Sequence, residues 1–274
     1  MTEPQSNDRL RGNTHVACRG VDKVYKLPKG GTVTAIRQVD LAIGRGEFIS
    51  VVGPSGCGKS TLLKCLAGIA EISAGHIEVD GIAVTDPPDH MAIVFQRDIL
   101  LDWRSVLDNI LLPIEFKGYR RADWAGKASD LLGLIGLNGF EQRRPWELSG
   151  GQRQRVAICR ALIQDPRLLL MDEPFGALDA LTRDDLNLEL QRLWLASKKT
   201  VLFITHSISE AVLLSDRVVV MAANPGRIIE TVPIDLPRPR TPDMIRTSHF
   251  HDLEDRLSEL LFSKGGIAPS GDDV

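Results

Sequence analysis

The stretch Phe48-Ile49-Ser50-Val51-Val52-Gly53-Pro54-Ser55-Gly56-Cys57-Gly58-Lys59-Ser60-Thr61 decides how this chain folds. Phe48 to Val52 is a short, mostly apolar run of the kind that forms a buried strand, and a glycine-rich loop follows it. From Thr61 to Ala70, Leu62, Leu63, Leu66 and Ile69 keep helical spacing, so the segment reads as strand, loop, helix. Gly53, Gly58, Lys59 and Ser60 fit the spacing G-x-x-x-x-G-K-[ST] of the phosphate loop. In such a loop backbone N–H groups wrap the phosphates, Lys59 reaches the β and γ oxygens, and the Ser60 hydroxyl ligates Mg²⁺. A nucleoside triphosphate is implied; the bland alternative is a flexible glycine turn. Cys57 sits where the motif leaves the side chain free and reads as filler rather than as a reactive thiol.

Outward from this loop, Leu168 to Met171, Val201 to Ile204 and Val218 to Met221 are further buried-strand candidates. Helical stretches separate them, as a parallel sheet covered on both faces requires. Between Val16 and Glu47 the pattern is strand-like: Gly30-Gly31 marks a turn, and Val39 to Ile43 alternates core and solvent faces. From Arg97 to Asp165 the strand signal fades, and Trp124 to Ile135 and Gln152 to Ile163 read as helices. The expected fold is therefore α/β, a P-loop NTPase with a mostly parallel core sheet, an N-terminal antiparallel β subdomain and an inserted helical subdomain. The expected boundaries are a tail over 1–13, the main domain over 14–232 with its helical part at about 97–165, a strap and helix over 233–264, and a second tail over 265–274. The strap carries Pro233, Pro237, Pro239 and Pro242, and an amphipathic helix is expected near His251 to Phe262. It reads as a cover for the sheet edge, with a regulatory tail as the alternative.

Composition narrows the function. With 274 residues, 43% hydrophobic and 25% charged, the chain has ordinary globular make-up and can bury a sizeable core. A net charge of −3 and pI near 6.1 give no field that gathers phosphate backbones, so no nucleic-acid partner is expected. Cys18, Cys57, Cys65 and Cys159 form no CxxC pair and have no histidines at metal spacing. Neither a disulfide framework nor a zinc site is indicated, and a reducing cytoplasm fits best. The first residues are polar rather than signal-like, and no stretch approaches the roughly 20 apolar residues of a membrane span. Another chain is expected to supply any channel.

Two further motifs bear chemistry. Asp172-Glu173 ends an apolar strand; a carboxylate there can hold Mg²⁺ through water, and a second can take the proton of an attacking water. Asp172 suits the metal and Glu173 the base, although an acidic pair after a strand also fits a plain loop start. Leu148-Ser149-Gly150-Gly151-Gln152 precedes a helix carrying Arg153, Arg155 and Arg160. Ser149 can cap this helix and leave N–H groups facing an anion, or it can be a simple capped start.

Taken together, Gly53 to Thr61, Gln96, Leu148 to Gln152, Leu168 to Glu173, Ala177-Leu178-Asp179 and His206 resemble the ABC-type ATPase domain over roughly Val16 to Arg227. The resemblance implies hydrolysis of MgATP in a head-to-tail homodimer. Gly53, Pro54, Ser55, Gly56, Cys57, Gly58, Lys59, Ser60 and Thr61 of one copy hold ATP. Ser149, Gly150, Gly151 and Gln152 of the other face its γ-phosphate. It makes Glu173 the base and Gln96 a sensor of Mg²⁺ and the attacking water. His206 becomes a γ-phosphate partner, Asp179 a dimer contact, and Tyr25 an aromatic surface for adenine. Ser60, Gln96 and, through water, Asp172 are the implied Mg²⁺ donors. For Tyr25 a partly buried strand aromatic is the alternative, and for His206 a generic capping role.

What the domain powers is a separate question. ABC-type ATPases of DNA repair or translation need coiled-coil inserts or two cassettes, and one phosphate loop with no sustained heptads fits neither. A nucleotide-gated regulator remains the alternative, against which Glu173 argues. A free-standing cassette resembles an importer subunit. Asp102 to Ile110, Ser209-Glu210-Ala211 and Asn224-Pro225-Gly226-Arg227-Ile228 resemble the nitrate, sulfonate, taurine and bicarbonate importer ATPases. The implied partners are transmembrane permease subunits and, indirectly, an extracytoplasmic solute-binding protein, which together choose the cargo. The implied location is the cytoplasmic face of the membrane, peripheral through the permease. One departure is Ser207, where relatives often carry an acidic residue. The segment from Gln96 to Asn109, with Trp103, is the expected permease-docking surface; alternatively Trp103 packs inside the helical subdomain.

Overall fold

The computed structural model describes residues 13–176 and 178–263. The expected tails at 1–13 and 265–274, apart from Asn13, lie outside the described residues, as does Ala177. The chain divides into two compact units, one combining the residues up to Asp89 with those from Thr200 onward, the other comprising His90–Lys199.

In the first unit, β1 (Thr14–Lys26) and β2 (Thr32–Gly44) pair antiparallel. Val39, Leu41 and Ile43 are buried while Asp40 is exposed, the alternation read from the sequence. The buried strand β3 (Phe48–Val52) leads through the glycine loop into α1 (Lys59–Leu66). This helix is shorter than its leucine spacing suggests. Gly68 takes a left-handed φ of 66°, and its amide and that of Ile69 bond back to Cys65 and Lys64, which closes the helix and leaves Ile69 exposed. Two strands not anticipated follow, β4 (Ala74–Val79) and β5 (Ile82–Ala83), completing a sheet of order β2-β1-β4-β5. Their signal was present: Asp80-Gly81, both at positive φ, is the favoured hairpin dipeptide.

In the second unit, β6 (Met91–Val94) is also a strand not anticipated; it is only four residues long, although Asp86-Pro87-Pro88-Asp89 before it is a turn signal. Three helices come next, α2 (Val106–Phe116), α3 (Ala125–Leu134) and α4 (Gly150–Leu162). Ile110 and Ile114 of α2, Leu132 of α3 and Val156 and Cys159 of α4 share one apolar core. Ser105 and Ser149 start α2 and α4 as capping boxes with Asp108 and Gln152, which satisfies first-turn amides that burial would otherwise orphan. β7 (Leu168–Asp172) runs parallel to β6, and α5 (Ala180–Ser197) completes the unit.

The chain returns to the first unit with β8 (Thr200–Ile204), α6 (Ile208–Leu214), β9 (Arg217–Ala222) and β10 (Arg227–Pro233). β3 lies between β8 and β9, parallel to both, and β10 pairs antiparallel at the edge. The last helix, α7 (Ser248–Ser263), buries Phe250, Leu253, Leu257, Leu260 and Leu261. That stripe packs with Ala211 and Val212 of α6 and with Val218 and Val220 of β9. The C-terminal segment therefore covers a sheet face rather than an edge, which corrects the expected role; β10 itself forms the edge. Arg240 in the strap is 2% exposed, and its guanidinium donates to the carbonyls of Val212, Ser215, Ile234 and Leu236.

Candidate nucleotide-binding site

The phosphate loop is shaped by what its glycines avoid. At Gly58, with φ 91°, a Cβ would stand 2.5 Å from Ile36 Cγ2 and 2.9 Å from the Ala35 carbonyl. At Gly53 it would stand 2.6 Å from the Cys57 sulfur. Gly226 closes the loop from beneath: a Cβ there would lie 2.1 Å from the Cys57 carbonyl oxygen. The Gly226 amide donates to Ala35 O at 3.0 Å, and Arg37 N donates to Gly226 O at 2.8 Å. Gly226, read from sequence only as part of a resemblance, thus packs directly against the loop. Lys59 Nζ donates to the carbonyls of Gly53 at 2.8 Å and Pro54 at 3.2 Å, which sets the ammonium within the loop's curve. Ser55 and Gly56 are exposed, Pro54, Ser60 and Thr61 are half-buried, and Cys57 is fully buried, as suits filler.

Also in this unit, His206 is exposed immediately after β8. Ser207 caps α6, its hydroxyl accepting from Glu210 N at 3.3 Å. Serine and aspartate are equally good caps, so the departure at Ser207 preserves the local geometry. Tyr25 is 40% exposed near the end of β1, and Lys23 Nζ sits 4.8 Å from its ring centroid.

The second unit brings Gln96 and Glu173 together: Gln96 Nε2 donates to Glu173 Oε2 at 3.2 Å. Asp172 ends β7, and Glu173 follows at φ 46°, a left-handed backbone that costs a non-glycine residue about 1 kcal/mol. Such a cost is tolerated where the side chain must be aimed. Ser149 and Gly150 are exposed at the start of α4, whereas Gly151 is buried against Thr182, whose Cγ2 would lie 2.5 Å from an added Cβ. The arginines of α4 are engaged by carboxylates and carbonyls of this unit itself. Arg153 holds Asp98 at 2.9 Å, Arg160 donates to the Asp98 and Ile99 carbonyls at 2.7 Å each, and Arg155 pairs with Glu189. Arg153 and Arg160 tie the segment after Gln96 to the helix that Ser149 caps, a link invisible in sequence because the partners lie about sixty positions apart. Asp179 caps α5 by accepting from Thr182 N at 3.0 Å, and this backbone hydrogen bond holds its carboxyl below the usual range. Trp103 is 73% exposed, which decides against packing inside the helical part.

No group of three or more acidic, histidine or cysteine side chains able to cage a metal occurs among the described residues. Ser60 in the first unit, and Gln96 and Asp172 in the second, each carry hard oxygen donors, the chemistry that Mg²⁺ accepts beside waters and phosphate oxygens. Burial pushes the Cys18 thiol up to about 12 and raises Cys65 and Cys159, so these three are not nucleophiles.

Strand, glycine loop, buried lysine and helix define a P-loop nucleotide-binding protein. The ABC transporter family matches over residues 36–176. The chain is 45% identical over 215 residues to the taurine import ATP-binding protein TauB of Jannaschia sp., covering 78% of this chain and 80% of that one. It is 45% identical over 249 residues to the nitrate import ATP-binding protein NrtC of Synechococcus elongatus, covering 88% of this chain and 37% of that longer one. Among solved structures, "Dimeric Structure of MJ0796, a Bacterial ABC Transporter Cassette" superposes with a TM-score of 0.71 at 32% identity, over 81% of this chain and 100% of that one. This chain belongs to the ABC transporter ATP-binding family, and it is an ATP-binding ATPase.

Proposed function

We propose that the chain is the motor subunit of an importer, coupling MgATP hydrolysis in a head-to-tail homodimer to uptake of a small anion of the nitrate, sulfonate or taurine type. The observation that carries this reading is the Gln96–Glu173 contact beside a strained Glu173 backbone, an aimed carboxylate with a sensing amide. Its likeness to taurine and nitrate import proteins supports the importer assignment, and its likeness to a dimeric cassette supports the dimer.

In this reading Gly53 to Thr61 cradle the triphosphate, Lys59 neutralises its β and γ oxygens, and Tyr25 stacks on adenine. Ser60, Gln96 and, through water, Asp172 would be the oxygen donors for Mg²⁺, which when bound would neutralise charge on the phosphates. Glu173 takes a proton from the attacking water, and His206 hydrogen-bonds the γ-phosphate. Ser149, Gly150, Gly151 and Gln152 of the opposite copy offer amides to that same phosphate, and Asp179 contacts across the dimer. Phosphoryl transfer needs positioning and charge stabilisation rather than a covalent intermediate, so this set is sufficient. Residues 14–232 form the ATPase domain, the helical part at about 97–165 faces the permease, and 233–264 is a cover. Among the described residues no helix is long and apolar enough to cross a membrane. Permease subunits therefore supply the path and place the chain at the cytoplasmic face, with a solute-binding protein delivering cargo. Trp103 on its exposed segment is the docking contact.

The test is ATP hydrolysis and molecular mass of the full chain beside Glu173→Gln, with Mg²⁺ and with reconstituted permease. The unsubstituted chain should turn over ATP, and Glu173→Gln should lose at least about 100-fold and accumulate as an ATP-bound dimer. Absence of both turnover and dimer with permease present favours a regulatory nucleotide binder instead.

A further inference from the structure

The mechanism above uses His206 but not the buried carboxylate four residues later. Glu210 is only 6% exposed, and burying a polar side chain is costly unless its partners repay the lost hydration. Its partners form a ring around His206. The Thr205 hydroxyl donates to Glu210 Oε2, and the same Thr205 oxygen accepts from Ser207 N at 3.0 Å. Ser207 Oγ then accepts from Glu210 N at 3.3 Å, which closes the ring.

The arrangement departs from an ordinary helix start. With Ser207 as cap, Glu210 holds the position whose carboxylate normally accepts directly from the cap amide. Here the Thr205 hydroxyl stands between the two, taking the amide on one side and giving its proton to Glu210 on the other. Thr205 is itself 3% exposed, and its amide donates to Val51 O of β3 at 3.3 Å, so one end of the ring is anchored in the sheet. His206 lies between the ring members Thr205 and Ser207, and it is exposed while both flanking backbones are tied. A capped helix alone would need only Ser207; the relay through Thr205 fixes the residue before the histidine as well.

We propose that Glu210 is a positioning residue for hydrolysis, holding His206 toward the nucleotide through the Thr205 hydroxyl and the Ser207 amide. This rests on the reading of His206 as a γ-phosphate partner. Glu210 touches no substrate; it removes the freedom of the backbone from which the imidazole projects. Positional errors of about 1 Å in a reacting site can cost on the order of 100-fold, so a loosened ring should be visible in turnover.

The test is a double-substitution cycle on the full chain, reading kcat, KM for ATP and thermal midpoint. Glu210→Leu, which keeps bulk but cannot accept, should lower kcat about tenfold with KM changed less than about threefold. Thr205→Val should do the same. Glu210→Gln and Thr205→Ser, which keep the acceptor and the hydroxyl, should recover most of the loss. In a His206→Ala background Glu210→Leu should lower kcat by less than about twofold further, because the group it positions is gone. Equal losses from Glu210→Leu in both backgrounds would overturn the proposal and leave Glu210 a stability element. If His206→Ala by itself leaves turnover intact, the γ-phosphate role of His206 fails, and positioning through it fails too. The first failure spares the reading of the site and the second does not.

Discussion

At the scale of single residues, the site is fixed as much by absent side chains as by reactive ones. Glycines at 53, 58 and 226 let three backbone segments approach within distances that a Cβ would forbid. Gly151 is the instructive case, since its environment is a side chain that can be trimmed. Gly151→Ala should cost about 2 kcal/mol by overpacking against Thr182 and should lower ATP turnover. Thr182→Ser, which removes the Cγ2 atom 2.5 Å away, should restore at least half of that stability in urea unfolding of the double variant. No recovery means that the glycine is needed for the exposed amides rather than for packing. Lys59, Ser60, Asp172 and Glu173 were legible in sequence because each occupies a fixed offset in a strand-loop pattern. Arg153 and Arg160 were not, because their partners are set by how helices meet loops; Ser207 and Glu210 stand at the spacing of a helix cap, but that spacing does not show the Thr205 hydroxyl entering it.

At the scale of elements, the C-terminal strap is held by one buried guanidinium. Arg240 serves carbonyls from the end of α6 and from the strap, and Arg238 adds contacts to Asp216 at 2.9 Å and to the Leu214 carbonyl at 2.6 Å. Burial lowers the Arg240 pKa to about 10, yet it stays charged at neutral pH, so the carbonyl dipoles must compensate the lost hydration. Arg240→Leu removes those donors and should destabilise the chain by about 3 kcal/mol in urea unfolding. Arg240→Lys should recover little, because an ammonium cannot serve carbonyls in several directions of one plane. A change under about 1 kcal/mol would mean that α7 packing holds the segment without the arginine. The proline spacing signalled an extended strap, and the stretch near His251 to Phe262 an amphipathic helix; neither told that Phe250, Leu253, Leu257, Leu260 and Leu261 would be buried on a sheet face.

At the scale of the working assembly, the informative surface is the exposed tryptophan after Gln96. The Trp103 carbonyl accepts from Arg144 at 2.6 Å and Arg104 pairs with Glu115, so the backbone is held while the indole, 73% exposed, is presented to solvent. A large apolar side chain on a fixed loop suits a contact with a partner helix. Trp103→Ala should weaken permease binding by about 2 kcal/mol and lower transport, with ATP affinity changed less than about twofold. The checks are co-purification with the permease and nucleotide titration of the same samples. Loss of the fold, or unaltered transport, would count against the docking role.

The sequence by itself determined the fold class, the phosphate loop, the acidic strand end and the capped helix at Ser149. Each is a local pattern in which residue type and offset dictate backbone shape and hydrogen bonding. Only the tertiary structure decided what lies under the loop, where the arginines of α4 turn, which face α7 covers, and that the cap behind His206 is anchored to β3 through the Thr205 amide. Those depend on contacts between segments tens to well over a hundred residues apart, such as Gly226 against Cys57. No local spacing encodes such contacts; they are settled when apolar faces are buried together and each enclosed polar group has to find a partner.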